Sequence, residues 1–63
     1  MPIVHISLIE GRTKEIKEDL IKKVTDAIVD ALQVPSDRVR IVLHDVPKEN
    51  IGVAGVPLSK KGV

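Results

Sequence analysis

Three residues in this chain have types and positions that could move a proton on an anion: Pro2, Arg12 and Arg40. Proline directly behind the initiator methionine becomes a secondary amine at the chain terminus once Met1 is removed. That nitrogen can act as a base, whereas behind a retained Met1 it is a tertiary amide without useful basicity. Arg40 stands between Val39 and Ile41 in a stretch with strand character, where a guanidinium must reach solvent, a carboxylate or a ligand. Arg12 adjoins a glycine turn. Each also has a plainer explanation. Proline is tolerated at a strand start, Arg40 could pair with Asp45 or Glu10 of another subunit, and turn arginines are often just solvated. Together, a terminal amine and two guanidinium groups describe a proton-transfer site for an anionic substrate.

His5 and His44 are the other titrating pair. A parallel pairing that sets Arg40 near the start of the first strand predicts His44 about four residues beyond His5, roughly 13 Å away at ~3.3 Å per residue. At that distance they would not share a metal and read as partly buried or interface imidazoles. Nucleophilic triads, phosphate-binding glycine loops and zinc signatures are missing. Gly52-Val53-Ala54-Gly55 lacks dinucleotide-binding spacing and reads as a turn. No metal and no cofactor are expected.

The elements that must position these residues follow from periodicity. Residues 3 to 9 alternate, with Val4, Ile6 and Leu8 on one side and Ile3, His5, Ser7 and Ile9 on the other, which predicts a strand. Glu10-Gly11-Arg12 turns the chain, and Thr13 is a suitable N-cap with Glu15 well placed against the helix dipole. Ile16, Leu20, Val24, Ala27, Ile28, Ala31 and Leu32 recur at three- and four-residue steps, predicting an amphipathic helix over about 14 to 33. Glu18 with Lys22 and Asp19 with Lys23 are expected four-residue ion pairs. Pro35-Ser36-Asp37 is expected to close the helix. A second strand is predicted from about Arg38 to Val46, with Val39, Ile41 and Leu43 opposite Arg40, Val42 and His44. A helix between two strands implies a right-handed βαβ unit with parallel strands. Pro47 to Asn50 reads as a turn, followed by a short hairpin and the basic residues Lys60 and Lys61.

Length and composition limit what surrounds this unit. The 63 residues make one expected domain, 1–63, and a chain this short buries only about 60% of the surface its unfolded form exposes. Neither a cysteine nor an aromatic residue is present, and 43% of the chain is apolar. With no disulfide and no metal cluster in prospect, oligomerisation is the remaining source of stability. One helix covers one side of a two-stranded sheet, so Ile3, Ile9 and Val42 need a partner on the other. Two copies joining sheet edges would make a four-stranded sheet with both helices on one face, and further copies would cover the other. The formal charge of +1, from ten basic and nine acidic side chains, argues for neither nucleic acid nor membrane as partner. Residues 3 to 9 are too short to span a bilayer, no signal peptide is expected, and a cytoplasmic location is the default.

The sequence resembles the 4-oxalocrotonate tautomerase family over nearly its whole length. The resemblance rests on Pro2, Leu8-Ile9-Glu10-Gly11-Arg12-Thr13, Lys17, Leu20-Ile21, Val39-Arg40-Ile41 and Gly52-Val53-Ala54-Gly55. It implies a βαβ subunit, sheet-pairing dimers assembled into a hexamer, a mature chain beginning at Pro2, and a place in aromatic compound degradation. It also implies a cofactor-independent isomerase acting on a small unsaturated 2-hydroxy or 2-oxo acid such as 2-hydroxymuconate, with Pro2 as general base. Arg40 would bind one carboxylate and the 2-oxygen, and Arg12 the distant carboxylate, both from neighbouring subunits. The backbone N–H of Ile9 would be a further donor. Ile51 stands where the best-known members carry phenylalanine, which reshapes the expected substrate pocket. Two other activities remain open. Hydration or dehalogenation on the same scaffold would need a carboxylate to activate water, with Asp45 and Glu49 as the nearest candidates. A non-catalytic oligomeric module would instead use Lys60 and Lys61 on acidic partners.

Overall fold

A computed structural model describes residues 1–60 and contains a single parallel strand pair with one helix across it. Strand β1 (Ile3–Ile9) leads through Glu10–Thr13 into helix α1 (Lys14–Leu32), and β2 (Arg40–Val46) follows. The register pairs Ile3 with Arg40 and runs without a bulge to Ile9 with Val46. Alternation places Val4, Ile6 and Leu8 with Ile41 and Leu43, half-buried, on one side of the sheet. Ile3, His5 and Ser7 lie with Arg40, Val42 and His44 on the other, exposed.

Thr13 caps α1 as its residue type requires, its hydroxyl accepting from the Ile16 N–H at 3.2 Å. The other end differs from the expectation. The helix stops at Leu32 because Gln33 adopts a left-handed conformation (φ 56°), its N–H bonded to the Val29 carbonyl at 2.9 Å. The helix is therefore closed before Pro35 is reached. Ser36–Arg38 forms a 3₁₀ turn, so Arg38 is not part of the second strand, which begins at Arg40. Of the two expected helix pairs, Asp19–Lys23 forms at 2.8 Å. Lys22 turns to Asp26 at 2.9 Å instead of to Glu18. Asp26 raises the Lys22 pKa, chiefly by its hydrogen bond and then by its charge.

The expected hairpin is present as β3 (Gly52–Val53) against β4 (Val56–Pro57), between 3₁₀ turns at Lys48–Asn50 and Leu58–Lys60. Ala54 and Gly55 both take positive φ, 53° and 81°. Such a two-residue connection matches the twist of paired strands. Leu58 N–H closes the base of the hairpin on the Ile51 carbonyl at 2.9 Å. Lys60 ends the last turn, while Lys61 of the basic tail lies outside the described residues.

The chain by itself buries very little. Val39, 8% exposed, is the only buried apolar residue among those described. Several members of the predicted helix stripe remain outside, including Ile16 (54% exposed) and Leu32 (56%), with Ala27 and Ala31 also exposed. The inward row instead comprises Lys17, Leu20, Val24, Thr25, Ile28 and Val29. The radius of gyration is 14.7 Å, against about 11 Å expected for a compact chain of this length. Its surface is 4718 Å², where about 4,000 Å² is usual for this mass. No helix among the described residues is long and apolar enough to cross a membrane.

Candidate active site

Pro2 precedes β1 and is half-buried. Its carbonyl accepts the Arg40 N–H at 3.0 Å, extending the parallel ladder by one step beyond Ile3. The terminus is thereby held against the start of β2 rather than left free. Met1 ahead of it is 71% exposed, so nothing in the fold shelters it. The Arg40 side chain lies on the uncovered face beside Ile3. Its Nη1 donates to the Asp37 carbonyl at 2.7 Å and, at 3.4 Å, to that of Val39. Both acceptors are neutral carbonyls.

Ile9 and Arg12 lie at the other end of the sheet. Gly11 takes φ 117°, turning the chain so that Arg12 folds back and donates from Nη1 to the Ile9 carbonyl at 3.0 Å. Ile51, half-buried, follows the Lys48–Asn50 turn that leaves the end of β2. A strand rising ~3.3 Å per residue separates Pro2 from Ile9 by roughly 23 Å. A small acid is far shorter than that. Within one chain, then, the candidates form two separate pairs, Pro2 with Arg40 and Ile9 with Arg12, and Ile51 follows beyond the end of β2. A site using both groups must combine copies of the chain.

The histidines are closer than the sequence predicted. His5 Nδ1 and His44 Nε2 are 3.3 Å apart. The step of four residues from Arg40 to His44 is offset by the step of two from Ile3 to His5, leaving a diagonal of only two residues. The ring centroids are 5.6 Å apart with planes inclined by 12°. The nitrogen separation and the two ring radii account for nearly all of that distance, so the rings lie end to end. One ring donates and the other accepts. No group of three or more metal-ligating side chains occurs among the described residues.

Asp45 is already engaged. Lys17 Nζ reaches its Oδ2 at 2.8 Å, joining α1 to the end of β2 on the helix side of the sheet. It lies on the opposite face from Arg40, and its carboxylate is neutralised, which counts against a water-activating role. Glu49, in the Lys48–Asn50 turn, is exposed. Lys17 is not a member of the apolar stripe that the sequence predicts. Its spacing of three and seven residues from Leu20 and Val24 was the available sign that it shares their face.

The family model for Tautomerase enzyme matches residues 2–61. The chain belongs to the tautomerase family. It is 50% identical over 62 residues to a 2-hydroxymuconate tautomerase of Comamonas testosteroni, covering 98% of each chain. A second tautomerase of that description, from Pseudomonas sp. (strain CF600), is 45% identical over 60 residues and 95% of each chain. Among solved structures, a 4-oxalocrotonate tautomerase isozyme from Methylibium petroleiphilum superposes with a TM-score of 0.93 at 48% identity, covering 98% of this chain and 100% of that one. A heterohexameric 4-oxalocrotonate tautomerase from Chloroflexus aurantiacus does so with a TM-score of 0.90 at 30% identity, over 95% and 97%. This tautomerase is accordingly an isomerase built on the βαβ unit described above.

Proposed function

We propose that this tautomerase moves a proton within a small unsaturated 2-hydroxy or 2-oxo diacid such as 2-hydroxymuconate, without a cofactor and with Pro2 as the general base. The observation that carries the reading is the hydrogen bond from Arg40 N–H to the Pro2 carbonyl at 3.0 Å, which anchors the amino terminus at the start of β2, beside an arginine. Two relatives at 45% and 50% identity that are described as 2-hydroxymuconate tautomerases support the substrate class.

After removal of Met1, the Pro2 nitrogen is a secondary amine with a lone pair. α-Amines titrate a little above neutrality, and nearby guanidinium charge together with a dry environment disfavours the protonated form. The base is then free at working pH. It takes the proton from the enol oxygen and returns it to a carbon further along the conjugated chain, leaving a ketone. Negative charge develops on the 2-oxygen, where Arg40 would stabilise it while holding the adjacent carboxylate. Arg12 would hold the distant carboxylate, and the Ile9 N–H would donate nearby. Electrostatic groups fixed in advance in this way are often the largest contribution to the rate. Ile51 would line the pocket and help exclude water.

The division of the candidates between two ends of one chain supports a site shared between copies, and the sparse burial supplies the drive to assemble. A homohexamer of a single 1–63 domain is the assembly proposed, in line with the heterohexameric relative. The test mixes two strongly impaired variants, Pro2→Ala and Arg12→Ala, dissociated and reassembled together. Mixed particles should regain tautomerisation of 2-hydroxymuconate beyond that of either variant alone. Failure to regain any, with mixing verified by mass, would rule out a shared site. Wild-type chain without activity on a panel of enol acids would rule out the substrate class.

A further inference from the structure

Arg12 sits in a four-residue connection, Glu10–Thr13, and both ends of that connection are tied to consecutive residues of β2. On the strand side, Glu10 N–H donates to the Val46 carbonyl at 3.0 Å. On the helix side, Lys17 Nζ binds Asp45 Oδ2 at 2.8 Å. The helix-side tie reaches Arg12 through a short path. Lys17 N–H donates to the Thr13 carbonyl at 3.1 Å, and Thr13 is the residue next to Arg12. The guanidinium itself touches only a backbone carbonyl, that of Ile9, so the path of the connection, rather than a partner carboxylate, decides where it lies.

The Lys17–Asp45 pair differs from the other ion pairs of the described residues. Lys22–Asp26 and Lys23–Asp19 lie within one helix, and both lysines are 74% exposed. Lys17 is 30% exposed, on the inward row of α1, and its pair bridges two elements. Helix propensity is served by the first two pairs. The third fixes the start of α1 relative to the strand end from which the Arg12 connection departs.

We propose that Lys17 and Asp45 are positioning residues that set the reach of Arg12, so that the enzyme prefers a diacid to the corresponding monoacid. The proposal rests on the assignment of Arg12 to the distant carboxylate made above. Neither residue touches the reacting atoms. Their loss moves a binding group without altering the base, so the effect falls on binding of one end of the substrate.

Steady-state kinetics on two enol acids tests this, one a dienol diacid and the other sharing its 2-hydroxy acid end but lacking the distant carboxylate. Lys17→Met and Asp45→Asn should each raise KM for the diacid about two- to fivefold, the scale of a partly exposed ion pair, and leave kcat in place. KM for the monoacid should not change. The exchanged pair, Lys17→Glu with Asp45→Lys, should recover most of the diacid KM. Equal losses on both substrates, or a fall in kcat, would mean general loosening and overturn the proposal; so would no change on either. Asp45→Asn keeps side-chain size, and light scattering with circular dichroism confirms that each variant is folded and assembled. Arg12→Ala run alongside separates the two levels. If it does not distinguish diacid from monoacid, the assignment of Arg12 fails; if it does while Lys17→Met and Asp45→Asn do not, only the positioning role fails.

Discussion

A terminal proline can act as a base only if its nitrogen is free, so removal of Met1 is the first condition on the chemistry. Met1 is 71% exposed and makes no protective contact, and intact-mass measurement of the cellular protein should find a chain beginning at Pro2. The pH dependence follows from the sign of the titration. Protonation of the amine removes the base, so the rate should climb as pH rises through neutrality; a flat rate between pH 5 and 8 would exclude a base titrating there. Arg12→Ala and Arg40→Ala should each lower the rate by about 10²–10³ while the assembly stays intact. Fast tautomerisation by Arg40→Ala would show that the charge on the 2-oxygen is stabilised elsewhere.

At the scale of elements, α1 depends on its ends. The Thr13 hydroxyl satisfies one of the free N–H groups of the first turn, and Thr13→Ala should cost about 1 kcal/mol in denaturant unfolding. A larger loss would show that Thr13 also holds the Arg12 connection. The helix-surface pair at Lys22 gives a different expectation. Its pKa is raised by Asp26, so the stability it contributes is fully present below the ordinary lysine value and is lost as pH rises through the raised one. Lys22→Gln should therefore change stability equally at pH 6 and pH 8, and any divergence between those pH values must come from other groups. The hairpin has its own requirement. Ala54 and Gly55 take positive φ, a conformation that glycine adopts without cost and that β-branched residues resist.

For the whole molecule, the numbers favour association. A chain with one buried apolar residue among those described, 700 Å² or so more surface than its mass warrants, and Ile3 58% exposed beside Val42 has most of its core still to make. Light scattering should give a mass several times the 6.9 kDa of one chain. Ile3→Lys should shift that mass downward and remove activity together. Activity from a stable monomer would contradict the shared site, because Pro2 and Ile9, whose carbonyl holds Arg12, stand roughly 23 Å apart by strand rise.

How much of this could be read from the residues differs from one feature to the next. Alternation in Ile3–Ile9 and Val39–Val46, the Thr13 cap and the three- and four-residue spacing of apolar side chains all act over a few residues, and these local patterns determined the strands, the helix and the parallel unit. Sequence also determined the candidates themselves, since Pro2, Arg12 and Arg40 stand out by type and by neighbours. What only the tertiary structure decided is which of them meet. Register brought His5 to His44 and Lys17 to Asp45, and strand length placed Pro2 and Arg12 at opposite ends. Such contacts join residues 28 and 39 positions apart. Local spacing cannot determine them, because a change of one pairing step moves every cross-strand neighbour at once.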